Sequence, residues 1–248
     1  MSLAGKVALV TGGGKNLGGL ISHQFADLGA DVAVHYNSAS SKEEAEKTVK
    51  DIQAKGRKAV AYQGDLTKPA EIVKLFDAVI KEFGGVDIAV NNVGKVLKKP
   101  ILEITEAEYD SMFAINAKAA FFFIQEAGKK VRDNGKIITI VTSLLAAFTG
   151  FYSTYAGSKA SVEHFTRAAA KEFASRGISV NNVGPGPMDT PFFYPQESPE
   201  AVAYHKSQAI GNRLTDVHDI APIITFLATS GQWITGQTIF ANGGYTTR

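Results

Sequence analysis

Two residues that could transfer a proton, Tyr155 and Lys159, are separated by three positions in a segment with helical patterning. This spacing places both side chains on one face of a helix. A free tyrosine has a pKa near ~10, which is too high for easy proton exchange at neutral pH. A neighbouring ammonium group favours the phenolate and lowers that pKa, so that the tyrosine becomes a usable general acid or base. The pair predicts acid–base chemistry, although a Y-x-x-x-K pattern alone is common by chance.

A glycine-rich segment near the amino terminus predicts a phosphate-binding turn. Residues 11–19 read TGGGKNLGG, directly after an apolar run at 6–10 and at the start of a helical pattern. Glycines at such a turn let the backbone approach a pyrophosphate, which the free N–H groups of the helix N-terminus then bind. The pattern G-x-G-x-x-G is not met, because Leu17 stands at its last position. The prediction therefore rests on the place of the turn in the first strand–helix unit.

Short apolar runs alternate with longer amphipathic stretches along the chain, which predicts strands separated by helices. The predicted strands span 6–10, 31–36, 59–62, 88–91, 136–141, 178–183 and 238–240. The predicted helices span 17–28, 42–55, 69–83, 106–131 (one long helix or two abutting ones), 155–176 and 216–229. Strands joined through helices form right-handed βαβ units and a parallel sheet covered on both faces. We predict an α/β fold with a doubly wound, Rossmann-like parallel sheet and a single domain over residues 1–248.

One long segment, residues 184–212, lacks regular periodicity and contains five of the eight prolines. Irregular segments of this length are more often lids or binding loops than idle connections. We therefore predict a substrate loop there. Aromatic residues in this segment and before the predicted active-site helix could line a substrate pocket, with core or subunit contacts as the alternative: Phe148, Phe151, Tyr152, Phe192, Phe193 and Tyr194.

The end of the second predicted strand indicates which dinucleotide binds. An acidic residue is expected there when the ribose 2′-hydroxyl is recognised, but Asn37 and Ser38 occupy this end, and Asp31 lies at the wrong end of the strand. Lys15, with Asn37 and Ser38, could instead hold a 2′-phosphate through charge-assisted hydrogen bonds. NADP(H) is therefore favoured over NAD(H); the alternative is that these residues belong to a solvated loop.

Composition excludes several classes of protein. The 26 basic and 24 acidic residues give a net charge of +2, which provides no strong attraction to nucleic acid or to an anionic membrane. The absence of cysteine excludes disulfides, thiolate catalysis and cysteine-ligated metals. The five histidines show no metal-ligand spacing, so no metal site is predicted. Lys6 lies where a signal peptide needs its apolar centre, and no apolar run approaches the ~20 residues of a membrane span. A cytoplasmic protein is predicted.

Several separate motifs make the whole chain resemble the short-chain dehydrogenase/reductase family, in its compact single-domain branch. They are the turn at 11–18, GDL at 64–66, NNVG at 91–94, Asn116, TS at 142–143, Tyr155 with Lys159, PG at 185–186 with Thr190, and ITGQ at 234–237 followed by GG at 243–244. Within the family the chain is similar to 3-oxoacyl-carrier-protein reductases and NADPH-dependent carbonyl reductases.

The resemblance implies a role for each matching residue. Tyr155 would donate the proton to a carbonyl oxygen, or remove it in oxidation. Lys159 would lower the pKa of the tyrosine and bind the nicotinamide ribose. Asn116 would hold a water in a proton relay, and a serine would bind the substrate oxygen. The implied cofactor-binding residues are Gly12, Lys15, Asn16, Leu17, Gly18, Asn37, Ser38, Asp65, Leu66, Asn92, Gly94, Tyr155, Lys159, Pro185, Gly186 and Thr190.

Two departures from the family pattern need interpretation. Asn16 replaces the middle glycine of the turn, and asparagine is the residue other than glycine that best adopts left-handed backbone angles, so we expect the turn to be kept. The second departure concerns the position of the catalytic serine, for which two adjacent residues are candidates. The family's usual interval from Tyr155 leads to Thr142, whereas the local pattern S-x-x-G/A fits Ser143. We predict Ser143, with Thr142 as the alternative.

The resemblance implies an NADPH-dependent reductase that transfers a hydride to a ketone or aldehyde, such as a 3-oxoacyl thioester. The alternatives are an NAD(P)-dependent alcohol or sugar dehydrogenase working oxidatively, and a regulator that senses NADP(H) without turnover. A basic run at 129–136 would suit an acidic acyl carrier protein, although such runs are usually solvated. The helices carrying 121–123 and 155–176 would pair in a homotetramer. The substrate is expected to be a small molecule.

Overall fold

The computed structural model describes residues 2–247, in which strands and helices alternate as predicted. The strands are β1 Val7–Val10, β2 Asp31–Tyr36, β3 Ala59–Gln63, β4 Val86–Asn91, β5 Val131–Ile140, β6 Ser179–Pro185 and β7 Thr238–Ala241. The helices are α1 Asn16–Asp27, α2 Lys42–Ala54, α3 Pro69–Phe83, α4 Glu106–Phe113, α5 Ala119–Lys130, α6 Ser153–Glu172, α7 Pro199–Ser207 and α8 Val217–Thr229. None of the helices within 2–247 is long and apolar enough to cross a membrane.

All seven strands pair in parallel in one sheet, in the order β3-β2-β1-β4-β5-β6-β7. The chain builds outward from β1 to β3 and then returns to place β4 on the other side of β1. Strand order therefore reverses between β1 and β4, and a crevice opens at their carboxyl ends, where ligands bind in sheets of this type. The predicted doubly wound, Rossmann-like parallel sheet is confirmed.

The sheet separates two hydrophobic cores, because successive strand residues face opposite sides. In β1, Ala8 and Val10 belong to the core beneath α1 and α8, whereas Val7 and Leu9 belong to the core beneath α3, α5 and α6. All four side chains are buried. The unbroken apolar run at 7–10 is thus explained by a strand that is covered on both faces.

The segment predicted to lack regular structure contains one short α-helix, α7, between two single 3-10 turns. Ser198 caps it by accepting a hydrogen bond from the Ala201 amide at 3.2 Å, and Pro199 occupies its first position. The helix has only nine residues and buries none of them. Hydrophobic periodicity therefore could not reveal it.

The long helical pattern at 106–131 resolves into α4 and α5, joined by a single π-helical turn, Ala114–Lys118. Thr105 starts α4 with a capping box, in which its side chain and that of Glu108 each bind the other's backbone amide. Extra turns of this kind occur frequently at functional sites. Here the turn contains Asn116.

Candidate active site

Tyr155 and Lys159 lie in the first turns of α6, on the face that points to the carboxyl ends of the strands. Both side chains are buried, at 7% and 5% exposure. The Lys159 ammonium donates a hydrogen bond to the Ile140 carbonyl at 2.8 Å, which fixes it at the end of β5. The predicted pair is therefore assembled at the edge of the sheet.

The pKa values of this pair differ from what the resemblance implies. Burial raises the pKa of Tyr155 to about 12, and hydrogen bonding with the Thr142 side chain only partly opposes this. Burial also lowers the pKa of Lys159 to about 8. No lowering of the Tyr155 pKa by Lys159 is found, and burial is the larger of the two effects on the phenol. Tyr155 is protonated at neutral pH.

Two adjacent hydroxyl residues lie after β5, and they differ in their contacts. Both line the cavity beside Tyr155, but Thr142 is the one that interacts with the Tyr155 phenol. Ser143 begins a short 3-10 turn and is 2% exposed. Its backbone carbonyl accepts a hydrogen bond from the Thr246 hydroxyl at 3.3 Å. Thr142 therefore has the contact expected of the substrate-binding hydroxyl, while Ser143 lines the same cavity, and the choice between them stays a prediction. A four-residue pattern could not show which of two adjacent residues after β5 faces the tyrosine.

Asn116 supports the catalytic helix from behind. Its side-chain amide donates to the Lys95 carbonyl at 2.8 Å and to the Ser158 hydroxyl at 3.1 Å, and its oxygen accepts from the Lys95 amide at 3.0 Å. Ser158, which the sequence analysis missed, donates in turn to the Tyr155 carbonyl at 2.8 Å. A Cβ on Gly94 would lie 3.0 Å from the Asn116 oxygen and 3.2 Å from the Lys159 nitrogen. The Asn116 oxygen and the Lys159 nitrogen therefore both lie next to the Gly94 backbone.

The glycine-rich turn has the predicted backbone. Asn16 adopts a left-handed φ of 47° at the start of α1, as expected for asparagine in place of glycine. A Cβ on Gly18 would lie 2.1 Å from the Gly12 carbonyl oxygen, so only glycine fits at this position. Lys15 and Leu17 line the same cavity as Gly12. The turn and the N-terminus of α1 thus form one wall of this cavity.

His35, in β2, holds the turn in place and was missed by the sequence analysis. Its Nε2 lies 2.9 Å from the Gly64 carbonyl, and its Nδ1 accepts from the Gly12 amide at 3.3 Å. Burial lowers the pKa of His35 to about 4, so the ring is neutral. A proton on Nε2 satisfies both contacts. Since the partners are distant in sequence, no local pattern reveals this role.

Two cavities meet at Tyr155. The first, of about 290 Å³, runs from the glycine-rich turn past Asn92 and Gly94 to Lys159, and the second, of about 100 Å³, lies beneath the 184–212 segment. Their shared lining residues are Val141, Tyr155, Met188, Thr190 and Phe192. We call them the cofactor-side and the substrate-side cavity. A carbonyl group at their junction would lie against the Tyr155 phenol.

The remaining predicted residues are distributed unevenly. Asn37 lines the cofactor-side cavity, and Pro185 and Gly186 line the substrate-side cavity. Asp65, Leu66 and Ser38 line neither: Asp65 accepts from Thr67, Leu66 is buried in the core, and Ser38 pairs with Ser40. Of the six predicted aromatic residues, Tyr152, Phe192 and Phe193 line the substrate-side cavity, although Phe192 is also partly exposed to solvent. Phe148, Phe151 and Tyr194 are exposed and do not line it.

Two surface features complete the description. Three of the four basic residues in the run at 129–136 form ion pairs: Lys129 and Lys130 contact Glu126 at 3.1 and 2.7 Å, and Arg132 contacts Asp87 at 2.9 Å. This pairing does not favour it as a docking surface for an acidic carrier. Within residues 2–247, no three histidine, cysteine or acidic side chains lie together as a metal site.

Comparison with known proteins agrees with this geometry. A family model described as enoyl-(acyl carrier protein) reductase matches residues 13–246. The hydroxynaphthalene reductase-like protein Arp2 of Metarhizium brunneum is 37% identical over 261 residues, covering 99% of this chain and 97% of its own. The short chain dehydrogenase/reductase nsrJ of Aspergillus novofumigatus is 37% identical, covering 98% of this chain and 96% of its own.

Solved structures are similar over the full chain. A Burkholderia cenocepacia protein with bound NADP is 60% identical with a TM-score of 0.98, covering 100% of this chain and 96% of its own. A blue fluorescent protein from a metagenomic library, in complex with NADPH, is 36% identical with a TM-score of 0.93, and both chains are covered completely. The chain belongs to the short-chain dehydrogenase/reductase family, whose members are NAD(P)-dependent oxidoreductases.

Proposed function

We propose that this protein is an NADPH-dependent reductase that converts a ketone or aldehyde to an alcohol, with Tyr155 as the proton donor. The observation that carries the proposal is the position of the protonated Tyr155 phenol, beside Thr142 and at the junction of the two cavities. The test is NADPH oxidation by the purified protein with a set of ketones that includes acetophenones and an acetoacetyl thioester. Alcohol formed in step with NADPH consumption supports the proposal.

The residues of the cofactor-side cavity fit a dinucleotide. Gly12 and Gly18 leave room for a pyrophosphate against the N-terminus of α1. Thr190 is buried, and its hydroxyl has no hydrogen-bond partner among residues 2–247, which suits the carboxamide contact that the family resemblance implies. The buried unpaired hydroxyl would otherwise cost stability.

The adenosine end supports NADP(H) over NAD(H). Asn37 lines the cavity where a carboxylate would recognise a ribose hydroxyl, and Lys15 lies nearby. Two similar structures contain NADP or NADPH. One feature opposes phosphate binding: the Lys15 ammonium pairs with the Glu44 carboxylate at 2.8 Å. A 2′-phosphate would have to compete with this carboxylate for Lys15.

Glu44→Gln is therefore expected to lower the KM for NADPH by roughly twofold to tenfold, because it removes a like charge beside the phosphate and frees Lys15. The effect should shrink at high salt. Steady-state kinetics at low and high ionic strength measure it. Glu43→Gln is the control, since Glu43 is exposed on the same helix and does not line the cavity. An unchanged or higher KM for NADPH in Glu44→Gln would show that Lys15 does not bind the phosphate.

The chain's own residues provide the proton chemistry. Thr142 and Tyr155 would both donate hydrogen bonds to the carbonyl oxygen, which polarises the carbon. Bound NADPH supplies the hydride to that carbon. As negative charge develops on oxygen, Tyr155 transfers its proton, because the alkoxide is a much stronger base than a phenolate. Lys159, charged below about pH 8, would stabilise the phenolate that remains.

The protonated phenol suits the reductive direction, because reduction starts from the proton donor that burial maintains. The same residues would catalyse the reverse reaction, so the rate with an alcohol and NADP⁺ tests the oxidative alternative.

The choice between the two hydroxyl residues gives a direct test. Thr142→Val keeps the shape but removes the donor, and we expect kcat/KM for ketone reduction to fall by roughly 10²- to 10³-fold. Thr142→Ser should restore most of the activity, and Ser143→Ala should lose less than about tenfold. Steady-state kinetics of the three variants measure this. A larger loss in Ser143→Ala than in Thr142→Val would return the role to Ser143.

We propose in addition that the protein is a homotetramer in which the α5–α6 face contributes to a subunit contact. Phe121 is 41% exposed on this face and contacts the rings of Phe122 and Phe165. An exposed aromatic cluster of this kind is typical of an interface. The molar mass in solution, from light scattering, tests the proposal.

A further inference from the structure

Behind the substrate-side cavity lies a buried carboxylate with partners from three parts of the chain. The Glu197 side chain is fully buried. Lys98, in the segment after β4, places its ammonium nitrogen 2.5 Å from a carboxylate oxygen of Glu197. Tyr152, just before α6, donates its phenolic proton to the same carboxylate. His205 of α7 places its Nε2 at 3.5 Å from it. Glu197 thus ties the 184–212 segment to the residues around the catalytic helix.

The partners of Glu197 form a polar wall of the substrate-side cavity. Tyr152, His205, Tyr245 and Gln196 line this cavity together with Tyr155, whereas Glu197 itself lies behind them. The rings of Tyr152 and Tyr155 are 6.3 Å apart, and the Tyr245 hydroxyl lies 2.9 Å from His205 Nδ1. The polar wall therefore begins next to the reacting position and extends away from it.

We propose that this wall, defined as Tyr152, Gln196, His205 and Tyr245, is a second recognition site that binds a neutral hydroxyl group of the substrate away from the reacting carbonyl. The proposal rests on the proposed reductase function. Glu197 would act as a positioning residue, because it contacts the wall and not the substrate.

The hydrogen bonds within the cluster determine what the wall can bind. Tyr152 donates a hydrogen bond to Glu197. With the proton of His205 on Nε2, facing the carboxylate, Nδ1 accepts the proton of Tyr245. Both phenol oxygens are left with free lone pairs, so they can accept from a substrate. Gln196 accepts from the Lys98 amide at 2.9 Å and keeps its N–H groups as donors.

A hydroxyl group satisfies these partners best, since it both donates and accepts. An ether or ketone oxygen can only accept and would leave the phenol oxygens unused. The phenols stay protonated: burial and the bond to Glu197 raise the pKa of Tyr152, and burial raises the pKa of Tyr245. The two groups are therefore stable hydrogen-bonding partners across the neutral pH range.

The charge of the cluster argues against an anionic substrate. Burial opposes the charge of Glu197, but bonds from Lys98 and Tyr152 outweigh it and keep the pKa of the carboxyl below its usual value. Lys98 pairs with Glu197 and does not line the cavity, and His205, the wall residue that can become cationic, turns its Nε2 toward the same carboxylate. A carboxylate placed here would also lie near a buried charge of the same sign.

The size and the apolar walls of the cavity point to a small ring. Its volume of about 100 Å³ is below the roughly 150 Å³ that accommodates benzene in a protein core, so it admits no more than a single ring, which would extend through the opening at Tyr155 into the larger cavity. Phe192 and Phe193 cover it with apolar surface. The substrate class we infer is a single-ring ketone or aldehyde that carries a hydroxyl group.

The test uses acetophenones that differ in one substituent: 3′-hydroxyacetophenone, 3′-methoxyacetophenone and 3-acetylbenzoate. Dissociation constants are measured by calorimetry with the NADP⁺ complex, in which no reduction occurs, and kcat/KM is measured with NADPH. The wild type is expected to bind the hydroxy compound about threefold to tenfold more tightly than the methoxy compound, as one hydrogen bond provides. The carboxylate should bind weakest.

Two variants assign the preference to the wall. Tyr245→Phe removes one acceptor, and Glu197→Gln removes the charge that orients Tyr152 and His205; both should bring the hydroxy-to-methoxy ratio of dissociation constants close to one. Tyr204→Phe is the control, because Tyr204 is 58% exposed and does not line the cavity, so its ratio should equal that of the wild type.

The two measurements separate the two proposals. Equal binding of the hydroxy and methoxy compounds, or a ratio unchanged in Tyr245→Phe, overturns the second recognition site whether or not the ketones are reduced. A hydroxyl preference in binding without NADPH oxidation by any ketone supports the site and overturns the reductase function.

Discussion

Replacing Tyr155 with phenylalanine is expected to lower kcat for ketone reduction by roughly 10²- to 10⁴-fold, the contribution typical of a general acid. The variant keeps the buried ring but removes the phenolic proton at the junction of the two cavities, next to Thr142. The alkoxide would then have to take its proton from water. Stopped-flow or steady-state kinetics of NADPH oxidation with saturating ketone measure the loss.

Two controls separate this loss from misfolding. NADPH binding, followed by calorimetry, should change little in Tyr155→Phe, since the phosphate turn and Lys159 are untouched. Tyr109→Phe should retain the wild-type kcat, because Tyr109 is 46% exposed on α4 and stacks on Phe113. A kcat for Tyr155→Phe within a few-fold of the wild type would exclude the proposed donor.

Gly18→Ala is expected to weaken NADPH binding by at least about 100-fold or to prevent folding. Its Cβ would lie 2.1 Å from the Gly12 carbonyl oxygen and 2.7 Å from the Asn92 amide nitrogen. The first neighbour is backbone in the tightest part of the turn, so the turn must open and lose its fit to a pyrophosphate. Thermal unfolding and NADPH titration measure the two consequences.

The adjacent glycine provides a matched control. A Cβ on Gly19 would lie 3.4 Å from Gly14, which is ordinary van der Waals contact. Alanine is also favoured over glycine within a helix, so Gly19→Ala should fold and bind NADPH like the wild type. Equal NADPH affinity in the Gly18 and Gly19 variants would show that the turn does not carry the pyrophosphate.

The fold was accessible from the sequence because buried parallel strands are short, continuous apolar runs, and all seven were predicted near their observed positions. The largest difference is β5, which begins at Val131 rather than 136. Val131 pairs with Val86, but the three residues after it, 132–134, are polar and exposed, so the first part of the strand carries no apolar run. The helix α7 escaped detection because it buries no side chain.

The catalytic helix and the glycine-rich turn were also predictable, since local spacing defines both. What the sequence could not provide are contacts between distant segments. His35 supports Gly12 from the next strand, and Glu44 holds Lys15 from α2, 29 positions away. The pKa of Tyr155 depends on burial in the folded chain, which no motif encodes. For the same reason the sequence left Thr142 and Ser143 as alternatives.

The most direct test of the proposed function follows the hydride itself. NADPH carrying deuterium at the transferred position is incubated with the protein and 3′-hydroxyacetophenone, and the product is examined by mass spectrometry and NMR. We predict one carbinol formed per NADPH oxidised, with the deuterium on the carbinol carbon. NADPH binding without any carbinol, from this ketone, the acetoacetyl thioester or the aldehydes tested beside them, would contradict a reductase and favour a protein that senses NADP(H) without turnover.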